Sequence, residues 1–212
     1  MNVQGYTDRS LPAVLRVYGT TDWATMEPKK GKKEPDFTEH GIWGVCPQNN
    51  LYALDWWFKQ AETDVGLRAF IGYIKRYKPA HWWNEGSLIE KSIAPYVRSE
   101  MRTQNAFVSL DSLPSIEDKG SKLQSFHARW HERTVFFPIH RAWTEHVIEQ
   151  LIKFPAGRWD DAADCCGLIG RGLDKMYAPA PPDRVRKPDL VPYTEAWLTY
   201  NDRNQKPKVR YF

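Results

Sequence analysis

The apolar positions of this chain change period several times, and each change marks an element. Over residues 14 to 20, Val-Leu-Arg-Val-Tyr-Gly-Thr, apolar and polar positions alternate as in a strand, which ends at Asp22. Residues 38 to 46 and 50 to 57 read as two more strands joined by the turn Pro-Gln-Asn-Asn, so the first three strands are predicted to form an antiparallel meander. From Glu62 to Tyr77 the apolar positions Val65, Ala69, Phe70, Ile71 and Ile74 fall at helical spacing. Pro79 stops that helix before a new apolar strand, Ala80 to Asn84. Ser87 stands three residues before Glu90, the spacing of a capping box, and opens a helix carrying Ile89, Ile93, Tyr96 and Val97. Residues 106 to 110, Ala-Phe-Val-Ser-Leu, are predicted to be the next strand, in the parallel part of the sheet.

The second half follows the same logic. A polar helix is predicted over Glu117 to Glu132, a short strand over Thr134 to Phe137 closed by Pro138, and a helix over Ala142 to Ile152 that Phe154-Pro155 terminates. A last helix runs from Asp160 through Leu173. This order predicts an α/β fold: a mixed sheet of five to six strands, three antiparallel and then parallel, flanked by helices. Residues 1–13 read as a linker, 14–177 as the domain, and 178–212, rich in proline and charge, as an extended arm. The crevice should lie where neighbouring strand ends diverge.

Composition bounds this picture without changing it. With 212 residues, 42% hydrophobic and 26% charged, the chain can bury one sizeable core. Its 10 Trp and 10 Tyr supply large buried area or flat stacking surfaces. A net charge of +4 favours polyanions weakly. The basic residues gather in short runs: Lys29, Lys30, Lys32 and Lys33; Arg184, Arg186 and Lys187; Lys206, Lys208 and Arg210. Taken singly, each run reads as a solvated loop. Three cysteines, two of them adjacent, cannot build a disulfide framework and lack zinc-knuckle spacing, which points to a reducing compartment. The N-terminus lacks the apolar core of a signal peptide, and no stretch approaches the roughly 18 apolar residues that cross a bilayer. A soluble, intracellular protein is therefore expected, with no membrane partner.

The candidate chemistry lies in acids at the edges of apolar segments: Asp22, Glu85 in Trp-Asn-Glu-Gly, and Asp161 with Asp164. Singly, each has a bland reading as turn chemistry or helix capping. Together, all fall at the cleft end of elements in one sheet. Hydrolysis of a phosphodiester needs a water made nucleophilic at neutral pH and a way to offset the charge of the departing oxygen; two hard cations about 4 Å apart do both, and hard cations take carboxylate oxygen. Asp22, on the central strand, would bridge both ions, and Glu85 would hold one from the adjacent strand end. Asp161 and Asp164, three apart, share a helix face. Asp160 points roughly 100° away and serves as the helix cap, unless a frayed first turn makes it the ligand in place of Asp161.

These residues also carry a resemblance. Tyr-Gly-Thr-Thr-Asp-Trp-Ala, Asp-Phe-Thr-Glu-His-Gly, Asn-Glu-Gly, a lysine-bearing helix lead-in and, most specifically, Phe-Pro-Ala-Gly-Arg-Trp-Asp-Asp-Ala-Ala-Asp resemble the C-terminal nuclease domain of tailed-phage terminase large subunits, over about residues 14 to 176. The resemblance implies a ribonuclease H-like fold and a magnesium- or manganese-dependent endonuclease that cuts concatemeric viral DNA during packaging. By position, it implies catalytic and metal-binding roles for Asp22, Glu85, Asp161 and Asp164. It also implies double-stranded DNA, a packaging ATPase, portal and small terminase as partners, and the host cytoplasm as the location. The family commonly has His before the Asp-Asp pair, where this chain has Trp159. No Gly-x-x-x-x-Gly-Lys-Ser/Thr loop occurs, so the chain alone cannot be the motor; it is read as an excised domain or a separate gene product.

Lys119, Lys122, Arg129 and Arg133 surround a predicted helix and resemble the family's DNA-facing basic segment. His127 and His131 have zinc-compatible spacing but no third ligand to match. Of Trp82 and Trp83, one is expected in the core and the other beneath a flanking helix. Two rival readings are a resolvase- or transposase-like nuclease on the same fold, and a non-catalytic DNA-binding module.

Overall fold

The computed structural model describes residues 3–27, 34–116 and 118–172, all within the first of the chain's two units, Met1–Pro179. The three basic runs and the predicted arm from 178 onward lie outside the described residues. Seven strands form one mixed sheet: β1 (Gln4–Tyr6), β2 (Arg16–Asp22), β3 (Thr38–Val45), β4 (Leu51–Lys59), β5 (His81–Gly86), β6 (Leu110–Pro114) and β7 (Val135–Pro138), in the order β1-β7-β4-β3-β2-β5-β6. The helices are α1 (Thr63–Tyr77), α2 (Leu88–Thr103), α3 (Lys119–His131), α4 (Trp143–Lys153) and α5 (Asp161–Gly172).

The predicted meander is present: β2–β3 and β3–β4 pair antiparallel, while β2–β5, β5–β6 and β4–β7 pair parallel. The β3–β4 turn closes with Asn49 N–H donating to the Cys46 carbonyl at 2.9 Å, and Asn49 takes the positive φ of 64° that asparagine tolerates. Helices cover both faces. On one face α1 packs on β3 and α2 on β5; on the other α5 lies across β2, β3 and β5, backed by α3 and α4. With both faces covered, β3 is buried at every position. Trp82 and Trp83 split between the faces, Trp82 edge-on to Phe70 of α1 and Trp83 stacked on Tyr18 in the core beneath α5.

Three expectations need correction. Residues 1–13 are not simply a linker: Gln4–Tyr6 add a seventh strand parallel to β7, and the Tyr6 hydroxyl donates to the Ala53 carbonyl at 2.6 Å. The strand placed at 106 to 110 lies at Leu110–Pro114, because Ala106 instead closes the end of α2, its N–H donating to the Met101 carbonyl at 2.9 Å. Tyr96 faces solvent. Ser87 does cap α2, accepting from Glu90 N–H at 3.0 Å, and the Glu90 carboxylate accepts from the Ser112 hydroxyl, tying α2 to β6.

Candidate carboxylate site

Strand alternation decides which side chains meet. Tyr18, Thr20 and Asp22 of β2 face α5, as Tyr18 shows by stacking on Trp83, two residues before Glu85. Asp22 is the cross-strand partner of Glu39 on β3, and β5 flanks β2 on its other side. Three adjacent strands thus deliver Asp22, Glu39 and Glu85 to one face. Across that face, α5 brings Asp161 and Asp164 in its first turn. Asp161 is 2% exposed, and its Oδ2 accepts from the Phe37 N–H at 3.2 Å. Asp160 precedes the helix, and its carbonyl accepts the Asp164 N–H at 2.8 Å. This geometry separates the neighbours: Asp161 is the buried one, while Asp160 is half-buried at the helix start.

Lys122 of α3 reaches into the same site. Its ammonium donates to Glu85 Oε2 at 2.9 Å and Asp164 Oδ2 at 2.7 Å, with the side chain only 12% exposed. The other Glu85 oxygen, Oε1, accepts from the Ser115 hydroxyl at 2.9 Å. Lys122 gets there because α3 and α5 pack backbone to backbone: a Cβ on Gly167 would lie 2.8 Å from the Lys122 carbonyl oxygen, and one on Gly170 2.6 Å from the Phe126 nitrogen. Lys122, expected to face DNA, is instead a counter-ion inside the site.

One lysine does not balance this negative charge. Burial, then the Asp164 and Asp161 carboxylates, push Asp22 well above the usual range, against the pull of Lys122. Asp161 is pushed up to about 8 by burial and by Glu39 and Asp36. Burial lifts Asp164 to about 6, although Lys122 opposes it. For Lys122, burial lowers the pKa, but Asp164 and Glu85 outweigh it and hold the ammonium above its ordinary value.

Glu39 is a fifth carboxylate that the sequence reading missed. It is fully buried and accepts from Trp56 Nε1 at 2.6 Å and Gln150 Nε2 at 3.1 Å, with His146 Nε2 at 2.8 Å. Gln150 Oε1 accepts the Ala162 N–H at 2.9 Å, which fixes the orientation of the amide and ties β3 through α4 to the first turn of α5. An acid beside His40 at the start of a predicted strand was the available signal; its pairing with Asp22 depends on a register that the long β2–β3 loop hides.

The opposite face is wired differently. His40 is fully buried between two partners: Nδ1 lies 2.8 Å from the Thr21 hydroxyl and Nε2 2.9 Å from the Gly66 carbonyl. Trp82 Nε1 donates to the same Thr21 oxygen at 2.8 Å, so the hydroxyl proton is free to go to Nδ1 and Nε2 carries the ring N–H. Burial holds His40 down at about 4, neutral at physiological pH.

The expected cage of four converging ligands is not preassembled. Among the described residues, no three His, Cys, Asp or Glu side chains meet in ligand geometry. Glu85 and Asp164 are joined through Lys122, whereas Asp22 and Asp161 line a crevice of about 40 Å³ together with Trp23, Ala24, Thr25, Glu27, Asp36 and Ile89. That volume exceeds the roughly 10–15 Å³ a single water needs. Hard oxygen donors at excess negative charge fit a divalent cation, and Asp22 and Asp161 already border space for one.

Of the predicted DNA contacts, Arg133 is exposed beyond the end of α3, and Arg129 donates to the Asn49 carbonyl in the β3–β4 turn. Lys119 opens α3, and its side chain lies outside the described residues. Among the described residues, no helix is long and apolar enough to cross a membrane.

Neither a protein-family model nor a curated protein matches the sequence. The fold does match solved structures. The large terminase nuclease of thermophilic phage G20c, solved with zinc bound, is 10% identical with a TM-score of 0.55, over 78% of this chain and 90% of that one. The same nuclease with magnesium bound gives 11% and 0.55. The nuclease domain of the large terminase subunit gp2 of bacterial virus Sf6 is 10% identical with a TM-score of 0.53, over 82% of this chain and 95% of that one. At such identities the likeness is one of fold: this chain has the ribonuclease H-like architecture of these domains.

Proposed function

We propose that this chain is a divalent-metal-dependent endonuclease of terminase type, hydrolysing phosphodiester bonds of concatemeric viral double-stranded DNA during genome packaging. The observation that carries the reading is the site itself: carboxylates from three adjacent strands and one helix, buried on one face, with more negative charge than Lys122 balances. A purely structural role would leave that repulsion uncompensated, which counts against a non-catalytic binding module. The fold shared with phage terminase nucleases, one of them solved with magnesium and with zinc, supports the same reading.

The ion would be held by Asp22 and Asp161, with Glu85 and Asp164 completing the charged wall. When bound, a magnesium or manganese ion makes a water nucleophilic at neutral pH and offsets charge on the departing oxygen. The chain's own groups prepare for this. Burial and neighbouring acids raise Asp161 to about 8, and its Oδ2 accepts from the Phe37 N–H, so to hold a cation Asp161 would give up a proton. Lys122 pairs with Glu85 and opposes the burial that raises Asp164, and Gln150 fixes the first turn of α5. Arg129, Arg133 and Lys119 would meet DNA phosphates, without base reading and so with little sequence preference. A packaging ATPase, portal and small terminase as partners, and action in the host cytoplasm, belong to this proposal.

Nicking of supercoiled plasmid tests it. The purified protein should nick in manganese and stop with EDTA, and Asp22→Asn, folded by circular dichroism, should be at least about 100-fold slower. Cleavage by Asp22→Asn at the wild-type rate would remove the mechanism.

A further inference from the structure

A two-cation scheme needs two cations, and the chain already carries one, an ammonium, in the site. We propose that the Lys122 ammonium permanently fills one of the two cation positions, between Glu85 and Asp164, so that the site takes a single divalent ion on its Asp22–Asp161 side. This rests on the metal-dependent reading above and refines it.

Three observations point the same way. The ammonium contacts both carboxylates, at 2.9 and 2.7 Å, and these partners stand 37 and 42 residues away in sequence, so the arrangement is built by the tertiary fold. The lysine cannot easily withdraw: its side chain is 12% exposed, its neighbours Leu123 and Phe126 are core residues, and Gly167 seats the Lys122 backbone against α5. Finally, the coordination capacity left over is one-sided. Glu85 has both oxygens engaged, by Lys122 and Ser115, whereas Asp22 and Asp161 border the crevice of about 40 Å³ that also reaches Asp36 and Glu27. A hard cation entering the site meets the Asp22 and Asp161 carboxylates and room on one side, where the Phe37 N–H takes one Asp161 oxygen, and a fixed positive charge on the other.

Counting manganese ions tests this without recourse to cleavage. Titrated with Mn²⁺ and followed by calorimetry and electron paramagnetic resonance, the wild-type chain should bind one ion with the spectrum of an isolated Mn²⁺. Lys122→Met keeps the stem and removes the charge; it should bind two ions and show an exchange-coupled pair. Lys122→Arg, which keeps the charge, should stay at one, and it guards against a Lys122→Met variant that fails to fold. A coupled pair in the wild type, or a folded Lys122→Met that still binds one ion, would overturn the proposal and leave the nuclease reading standing. No Mn²⁺ bound by any of the three proteins would overturn both.

Discussion

The two faces of the central sheet use neighbouring residues of the same strands for opposite ends. On the α1 side, Thr21, His40 and Trp82 satisfy one another, His40 stays neutral, and every hydrogen bond in the set has a donor and an acceptor. One residue further along, on the α5 side, Asp22 and Glu39 stand with Glu85, Asp161 and Asp164, and burial with mutual repulsion raises Asp22, Asp161 and Asp164. The buried polar groups of the α1 face are matched and uncharged, whereas on the α5 face acids outnumber the one lysine among them. The same strand positions shifted by one residue thus separate framework from site, because strand side chains alternate between faces.

Neutralising a residue on each face should therefore act in opposite senses. Asp161→Asn is the strongest case: cleavage should fall about 100-fold or more. Its stability in metal-free buffer at pH 8 should rise, on the order of 1–3 kcal/mol, by denaturant titration. The sign follows from a folded-state pKa of about 8 against the ordinary 3.8: the folded chain keeps a proton that the unfolded chain has lost, so this carboxyl costs stability as pH rises between those values. A variant that loses both activity and stability would blur the contrast between the faces.

On the other face the effect is on folding alone. The folded-state pKa of His40 is about 4 against the ordinary 6.5, so the unfolded chain takes up a proton first as pH falls. Stability should drop between about pH 6.5 and 4, by roughly 3 kcal/mol from this residue, and denaturant melts of His40→Asn should lack that component. Thr21→Val strands both His40 Nδ1 and Trp82 Nε1; it should cost about 2 kcal/mol while cleavage per folded molecule stays near wild type. A large activity loss in Thr21→Val would mean that the faces are not separate. The smallest effect is expected at the rim of the site, where Ser115→Ala removes one bond to Glu85: stability should stay within about 0.5 kcal/mol, with only a several-fold slower cut.

The sheet was largely legible because alternation and turn residues set its strands locally, as in Val14 to Thr20 and the Pro47–Asn50 turn. Strand β1 was not, since three residues carry no period and owe their conformation to β7 and Ala53. In the site, Asp22, Glu85, Asp161 and Asp164 stood out as acids at the ends of apolar segments. Glu39 and Lys122 did not, for physical reasons: Glu39 acquires its meaning from register across a loop, and Lys122 from a helix contact that two glycines permit. Lys122 was read as a DNA contact because its place between Glu85 and Asp164 exists only once α3 is docked. Asp160 and Asp161 were separable only once the helix start was fixed by the Asp160 carbonyl.

The central claim is that the α5-side carboxylates receive a divalent cation. A crystal soaked in manganese tests it directly: anomalous density touching the Asp22 carboxylate is the predicted result. Density confined to surface acids, or none at all at Asp22 in a chain that still cleaves DNA, would contradict it.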